Sequence, residues 1–202
     1  IDLANSLAGW AAGGPAKVAV LSSALQGTVS GSSVSNTVST GSFTIPLMKS
    51  LGYKPEFAAA VEAAASTGGQ IMPPVMGSAA FLISESCGVP YRDLMVVAVI
   101  PAALYFIGIW VSVHLEAKRL GLKGAPRDQL PKLWPLVRDK GHLLLPLIAI
   151  IYLMLAGYTI TRAALIGCVV CIIVPYLRKG TRVPFLNIFK ALPQAGRSVV
   201  SV

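Results

Sequence analysis

One stretch limits the fold more than any other: residues 94–115, 22 residues with no acidic or basic side chain except the near-neutral His114. At about 1.5 Å per residue, such a helix crosses roughly 30 Å of hydrocarbon. The run predicts a membrane span. The composition agrees, because 54% hydrophobic residues, 12% charged residues and a mean hydropathy of +0.70 lie far from soluble averages. Two further uncharged runs, 143–158 and 163–177, fall short of the usual ~20 residues unless Thr159 and Thr161 are included. They predict a transmembrane hairpin over 142–178 that turns at Gly157-Tyr158-Thr159.

A net charge of +9 raises the question of nucleic acid, and the distribution answers it. Lys118, Arg119, Lys123, Arg127, Lys132, Arg138 and Lys140 oppose Glu116, Asp128 and Asp139 within residues 116–141. This is a basic connecting loop between apolar runs, cytoplasmic by the positive-inside rule, and no nucleic-acid face. Cys168 and Cys171 stand inside an apolar run and read as small hydrophobes, without the further ligands a metal site needs. The chain does not start with Met and has no basic signal-peptide n-region, so it reads as an internal fragment.

The first quarter differs from the rest. Apolar stretches 18–25 and 43–48 flank a run of serine, threonine, glycine and Asn36. Irregular backbone at membrane depth is tolerated only where protein or a cavity surrounds it. The pattern predicts a re-entrant helical hairpin over 15–48 that turns at Ser30-Gly31-Ser32-Ser33. Lys17 at one end and Lys49 with Lys54 at the other put both ends on the cytoplasmic face. Residues 56–84 follow, with Gly68-Gly69 and Pro73-Pro74 in their middle, a combination that cannot continue a helix. They predict a broken transmembrane helix.

With the span 94–115 returning inside, fifteen of the seventeen basic residues fall on the cytoplasmic side, all but Arg92 and Arg162. Phe185, Ile188, Phe189 and Leu192 at helical spacing predict an interfacial helix within 179–202.

Two interrupted helices close together in sequence are the arrangement expected for ion and substrate binding at the bilayer midplane. Hydroxyls, the Asn36 carbonyl and freed backbone oxygens suit a hard cation, whereas half-helix N–H groups with serine beside them suit an anion. At these residues a family resemblance becomes specific. Gln26-Gly27-Thr28-Val29-Ser30-Gly31-Ser32-Ser33, Ile45-Pro46-Leu47-Met48, Gly52-Tyr53 and Gly69-Gln70-Ile71-Met72-Pro73-Pro74 together resemble the large membrane subunit of the TRAP transporters. The segment from His142 through Gly157-Tyr158-Thr159 to Arg162-Ala163-Ala164 resembles the fused-permease variant paired with TAXI-type binding proteins.

The resemblance implies an all-α polytopic membrane protein of the inner membrane, one half of an inverted-repeat elevator transporter with residues 1–115 as the first-repeat transport region. It implies import of a carboxylate solute delivered by a periplasmic substrate-binding protein, coupled to Na+ or else H+, without a cofactor. A small membrane subunit or its fused equivalent would be the membrane partner. Carried over by position, Ser30, Ser33, Asn36, Thr37, Gly68 and Gly69 would bind the cation, and Ser30, Gly31, Ser32, Ser33, Pro73 and Pro74 would line the substrate site. Ser35-Asn36-Thr37 also resembles the signature of divalent-anion/sodium symporters, so a symporter without a binding protein is the rival reading. A non-transport membrane module would explain the spans and leave the two interruptions without a purpose. An intramembrane serine hydrolase needs a base near the serines, and the histidines, His114 and His142, stand at the membrane edges. Glu62 is an expensive carboxylate within the broken span, and a place near the helix start is its simplest explanation.

Overall fold

A computed structural model of the chain describes residues 2–11, 13–122, 133–177 and 193. Every regular element among the described residues is helical, as the apolar runs predict. The chain divides into two compact units, Ile1–Leu136 and Val137–Val202.

In the first unit, α1 (Asp2–Ala8) leads into a helical hairpin of α2 (Gly14–Ser30) and α3 (Ser33–Ser50). Pro15 sits in the first turn of α2, where its missing N–H costs nothing. Gly31 ends the helix in the left-handed region at φ 59°, its N–H on the Gly27 carbonyl at 3.1 Å. Ser32 then caps α3, accepting the Ser35 N–H on its Oγ at 3.3 Å. Two residues therefore reverse the chain between helices of 17 and 18 residues.

Next come α4 (Pro55–Gly68) and α5 (Ser78–Cys87), separated by irregular backbone. Pro55 and Glu56 start α4 favourably, one by its fixed φ and the other by its charge near the helix N-terminus. Past Gly68 the ladder tightens into three-residue turns, with Gly69, Gln70, Ile71 and Met72 N–H groups on the carbonyls of Ser66, Thr67, Gly68 and Gly69. Pro73 and Pro74 then stop the helix, and the Gly77 N–H returns to the Gln70 carbonyl at 2.7 Å. The break is thus a closed loop of eight residues, 70–77, inside one polypeptide path.

The long helix α6 (Tyr91–Arg119, 29 residues) runs about 43 Å beside them. It is the one described helix long and apolar enough to cross a membrane by itself. The cytoplasmic loop predicted from residue 116 begins later, because Glu116 pairs with Arg119 at 3.4 Å and the basic last turn suits the helix C-terminus. Val96, Val97, Ile100, Leu104, Ile107 and Val111 are exposed along it, an apolar face that no described residue of this unit covers.

Small side chains let the helices approach. The core of this unit joins Ala16, Ala19, Ala58, Ala65, Val113 and Ala117 with Met48 and Tyr53. One end of the unit gathers the start of α2, the α3–α4 link and the end of α6: a Cβ on Gly13 would stand 2.5 Å from that of Ala117 and 2.6 Å from the Tyr53 hydroxyl. Eighteen ångströms or so along α6 from that end, about twelve residues of rise, Tyr105 packs on Gly68 at the end of α4. Tyr105 is the middle residue of α6.

The second unit begins within α7 (Leu133–Lys140) and continues through a short 3-10 turn, Gly141–Leu144, to α8 (Leu145–Leu155) and α9 (Ile160–Ile173). The turn between α8 and α9 uses Gly157 at φ 85°, and Gly167 brings α9 close to Ile150. Cys168 and Cys171 lie exposed on α9. The interfacial helix predicted within 179–202 and the middle of the basic loop lie outside the described residues, apart from Pro193.

Candidate functional site

The tip of the α2–α3 hairpin meets the α4–α5 break at backbone distance. A Cβ on Gly27 would lie 2.4 Å from the Gly69 Cα, and one on Gly31 would lie 2.0 Å from the Met76 carbonyl oxygen. Glycine is required at both positions because main chains touch there. Gln70 closes the contact, its Nε2 donating to the Ser33 Oγ at 3.0 Å. From the other side, Tyr91 donates to the Val75 carbonyl at 2.6 Å and stacks on Phe81, which ties the far part of the break to α6.

The sequence-predicted residues divide among these contacts. Ser30 is the last residue of α2, and its Oγ is buried without a hydrogen-bond partner. Gly31 is the turn itself, Ser32 the α3 cap, and Ser33 the partner of Gln70. Asn36 is fully buried, its Nδ2 donating to the Ser23 carbonyl at 2.9 Å and its Oδ1 left unpaired. A Cβ on Gly69 would stand 3.4 Å from that Nδ2, so Asn36 faces the break. Thr37 is half-buried on the next position of α3. Gly68 faces α6 instead, where Tyr105 and Phe106 would meet a Cβ at 2.5 and 2.9 Å. Pro73 and Pro74 sit deeper in the loop, Pro74 held by its carbonyl to the Tyr91 hydroxyl at 3.3 Å.

This junction can offer both kinds of ligand. The last carbonyls of α2 and the first N–H groups of α3 have no partners within their own helices, so opposite partial charges lie side by side at the turn. Two buried oxygens without donors, Ser30 Oγ and Asn36 Oδ1, flank that turn. A buried acceptor left unpaired is costly, so each of these oxygens calls for a donor or a positive charge.

Sequence reasoning missed a second cluster just below. Glu62 is the eighth residue of α4, fully buried, and therefore does not owe its place to the helix start. Its Oε1 accepts from Ser23 at 2.6 Å, from Thr40 and from Ser66 at 3.1 Å, and its Oε2 accepts from Thr44. Helices α2, α3 and α4 each supply hydroxyls. Gly41 makes room for the carboxylate, since a Cβ there would be 3.1 Å from the Glu62 Cγ. The spacing was visible: Thr40 with Thr44 and Glu62 with Ser66 are i, i+4 pairs, each on one helix face.

Lys17 also differs from its role as a surface charge. It is buried, with Nζ 3.0 Å from the His114 Nδ1 and 5.2 Å from the centre of the Trp110 ring. Its charge is spent on joining α2 to the last turns of α6.

Among the described residues, an all-helical fold with a long apolar helix of exposed side chains, and a hairpin turn that meets a helix break, is consistent with a membrane permease. The family model described as "Tripartite ATP-independent periplasmic transporter, DctM component" matches residues 1–202. The chain belongs to this family. It is 29% identical over 170 residues to the C4-dicarboxylate TRAP transporter large permease protein DctM of Pseudomonas aeruginosa, covering 84% of this chain and 39% of that protein. It is 27% identical over 135 residues to the 2,3-diketo-L-gulonate TRAP transporter large permease protein YiaN of Escherichia coli, covering 66% and 31%. The isethionate TRAP transporter permease protein DctMQ of Oleidesulfovibrio alaskensis is 28% identical over 129 residues, covering 64% and 20%. The chain thus spans about two fifths or less of the length of these curated relatives.

Proposed function

We propose that the complete protein is the large permease subunit of a tripartite secondary transporter in the inner membrane. It imports a carboxylate-bearing solute handed over by a periplasmic substrate-binding protein. Import is driven by Na+ moving down its gradient, with H+ as the other candidate coupling ion. A small membrane subunit, or a fused equivalent as the joint name DctMQ of one relative implies, completes the assembly, and the TAXI type is the binding protein that the 142–164 segment favours. Relatives named for C4-dicarboxylates and for diketo-gulonate support a small anionic organic acid as the solute.

One observation carries this reading: the hairpin tip meets the helix break beside the middle of α6, the helix that can cross a membrane unaided. A hairpin whose two ends share the level of one end of α6, and whose tip reaches the region of Tyr105, supports a re-entrant path to the midplane. There Asn36 Oδ1, Ser30 Oγ and backbone oxygens next to Gly69 are the proposed cation ligands, with Ser33 and Thr37 beside them. The α3 N-terminus at Ser32 and Ser33 is the proposed seat of the solute carboxylate, with Gly31, Pro73 and Pro74 shaping the wall. Gly68 contributes through its carbonyl, its Cα side being closed by Tyr105.

The test is uptake of labelled carboxylates by the full-length transporter in proteoliposomes, with its binding protein, with and without a sodium gradient. Uptake that needs both supports the proposal, and uptake without the binding protein favours the symporter reading. Asn36→Ala and Ser32→Ala are expected to weaken sodium-dependent uptake about 10-fold or more, the equivalent of losing one bond to a charged group, with insertion unchanged. Unaltered sodium dependence in both variants removes these residues from the site.

A further inference from the structure

We propose that Glu62 is a proton-binding site, built so that its carboxyl group is hydrogen-bonded whether ionised or neutral, and that its protonation loosens the hold of α4 on the hairpin. The inference stands on the geometry of the cluster and does not depend on the transport reading.

The first reason is the absence of a cationic partner among the described residues. Of the elements packed on α4, α2 carries Lys17, which is bonded to His114, and α3 carries Lys49, exposed in its last turn. On α6, Tyr105 donates to the Ala64 carbonyl, Tyr91 to Val75, Arg92 pairs with Asp93 and Arg119 with Glu116, while Lys118 is exposed. Glu56, in the first turn of α4 itself, is exposed, as is Lys54 before it. Among the described residues, the hydroxyls of Ser23, Thr40, Thr44 and Ser66 are the groups that bond to the Glu62 carboxyl group.

The second reason is spacing. Around a hard cation with bonds of about 2.4 Å, neighbouring oxygen ligands stand roughly 3.4 Å apart. Here Ser23 Oγ is 2.6 Å from Glu62 Oε1 and 3.1 Å from Thr40 Oγ1, which are hydrogen-bond separations. The cluster holds hydrogens between its oxygens and leaves no room for an ion.

The third reason is that the donors can be redirected. The Thr40 hydroxyl also reaches the Asn36 carbonyl at 2.8 Å, and the Thr44 hydroxyl reaches the Thr40 carbonyl at 3.0 Å. With Glu62 ionised, all four hydroxyl hydrogens point at the carboxylate. When a proton arrives from water and settles on Oε2, that oxygen donates to the Thr44 Oγ, and Thr44 turns its own hydrogen to the Thr40 carbonyl. Oε1 goes on accepting from Ser23 and Ser66, and Thr40 is free to turn to Asn36. No buried polar group in the cluster is stranded in either state.

The two states differ in what they hold together. In the ionised state charge-assisted bonds tie α4 to Ser23 of α2 and to Thr40 and Thr44 of α3. In the neutral state these become ordinary bonds, and one threonine or both bond within α3. Ser23 carries the change onward, because its carbonyl holds the Asn36 amide.

The experiment is infrared difference spectroscopy of the full-length protein in lipid vesicles, without a sodium gradient, from neutral pH down through the ordinary carboxylate range. A protonated-carboxyl band should grow with acid, be missing in Glu62→Gln, and move to higher frequency in Thr44→Val, which deletes one hydroxyl at nearly constant shape. On acidification, exchange of α3 amides should slow less than the intrinsic base-catalysed rate does in the wild type, and should follow the intrinsic rate in Glu62→Gln. Identical acid-minus-neutral bands in wild type and Glu62→Gln would overturn the proposal, leaving Glu62 a static joint. Should Glu62→Gln fail to insert, Thr44→Val decides alone: an acid band unmoved by the loss of that hydroxyl overturns it equally.

Discussion

Gly27 and Gly108 are both glycines in the body of a helix, yet the structure gives them opposite duties. A Cβ on Gly27 would enter the Gly69 backbone at 2.4 Å, whereas one on Gly108 would meet nothing within 4 Å. Gly27→Ala should therefore destabilise the protein by about 1–3 kcal/mol, the usual cost of overpacking, because neither main chain can move aside cheaply. Gly108→Ala should be neutral or stabilise α6 by up to about 1 kcal/mol. Thermal unfolding of the detergent-solubilised full-length protein separates the two. Equal midpoints for both variants would mean that the hairpin does not dock on the break. Asn36 is the other residue whose burden shows only in three dimensions. In the chain it is one polar residue in a serine-rich run, and in the fold it is a buried amide with one oxygen unpaired.

At the scale of elements, both interruptions are stabilised by few groups, and each can be tested alone. Ser32 alone caps α3 by its side chain, so Ser32→Ala should cost about 1 kcal/mol of local stability and speed hydrogen exchange of the first-turn amides, Ser35 first. Ser32→Asn, which keeps a capping oxygen, should restore slow exchange. If Ser32→Ala leaves Ser35 protected, the cap is supplied by something else. The break leans on Tyr91, whose hydroxyl reaches the Pro74 and Val75 carbonyls. Tyr91→Phe should cost about 0.5–1.5 kcal/mol and speed exchange within residues 71–77 without affecting α3. The turn at Gly31 was readable from its serine and glycine content, and the stop at Pro73 from the proline pair. The three-residue turns between Gly68 and Met72 were not readable, since they arise from how a helix end relaxes once its next donors are missing.

For the molecule as a whole, exposure in the isolated chain must be divided between water and lipid. Cys87 ends α5 next to Gly88, while Cys168 and Cys171 lie on the apolar α9. All three are exposed within the chain. In intact membranes a variant retaining only Cys87 should react with a membrane-impermeant maleimide added from the periplasmic side. Variants retaining only Cys168 or only Cys171 should react after detergent solubilisation and hardly at all before it. Labelling of Cys87 only from the cytoplasmic side would invert the topology drawn from the lysine and arginine distribution.

Sequence by itself marked most of the helical segments, though not α1 or α7, because length and apolarity decide which segments can cross a bilayer, and glycine and proline decide where a helix must stop. It also marked the serine-rich turn and the Gly-Gly to Pro-Pro break as the unusual parts of the chain. Tertiary structure alone decided what those parts touch: Gly27 against Gly69, Gly31 against Met76, Asn36 towards the break and Gly68 away from it. It alone gathered Ser23, Thr40, Thr44 and Ser66 around Glu62, from positions up to 39 residues away from it, a joint meaning that no local pattern carries. The reason is physical. Helix formation is governed by neighbours within a turn or two, whereas the cost of burying a carboxylate is set by donors that distant helices bring to it.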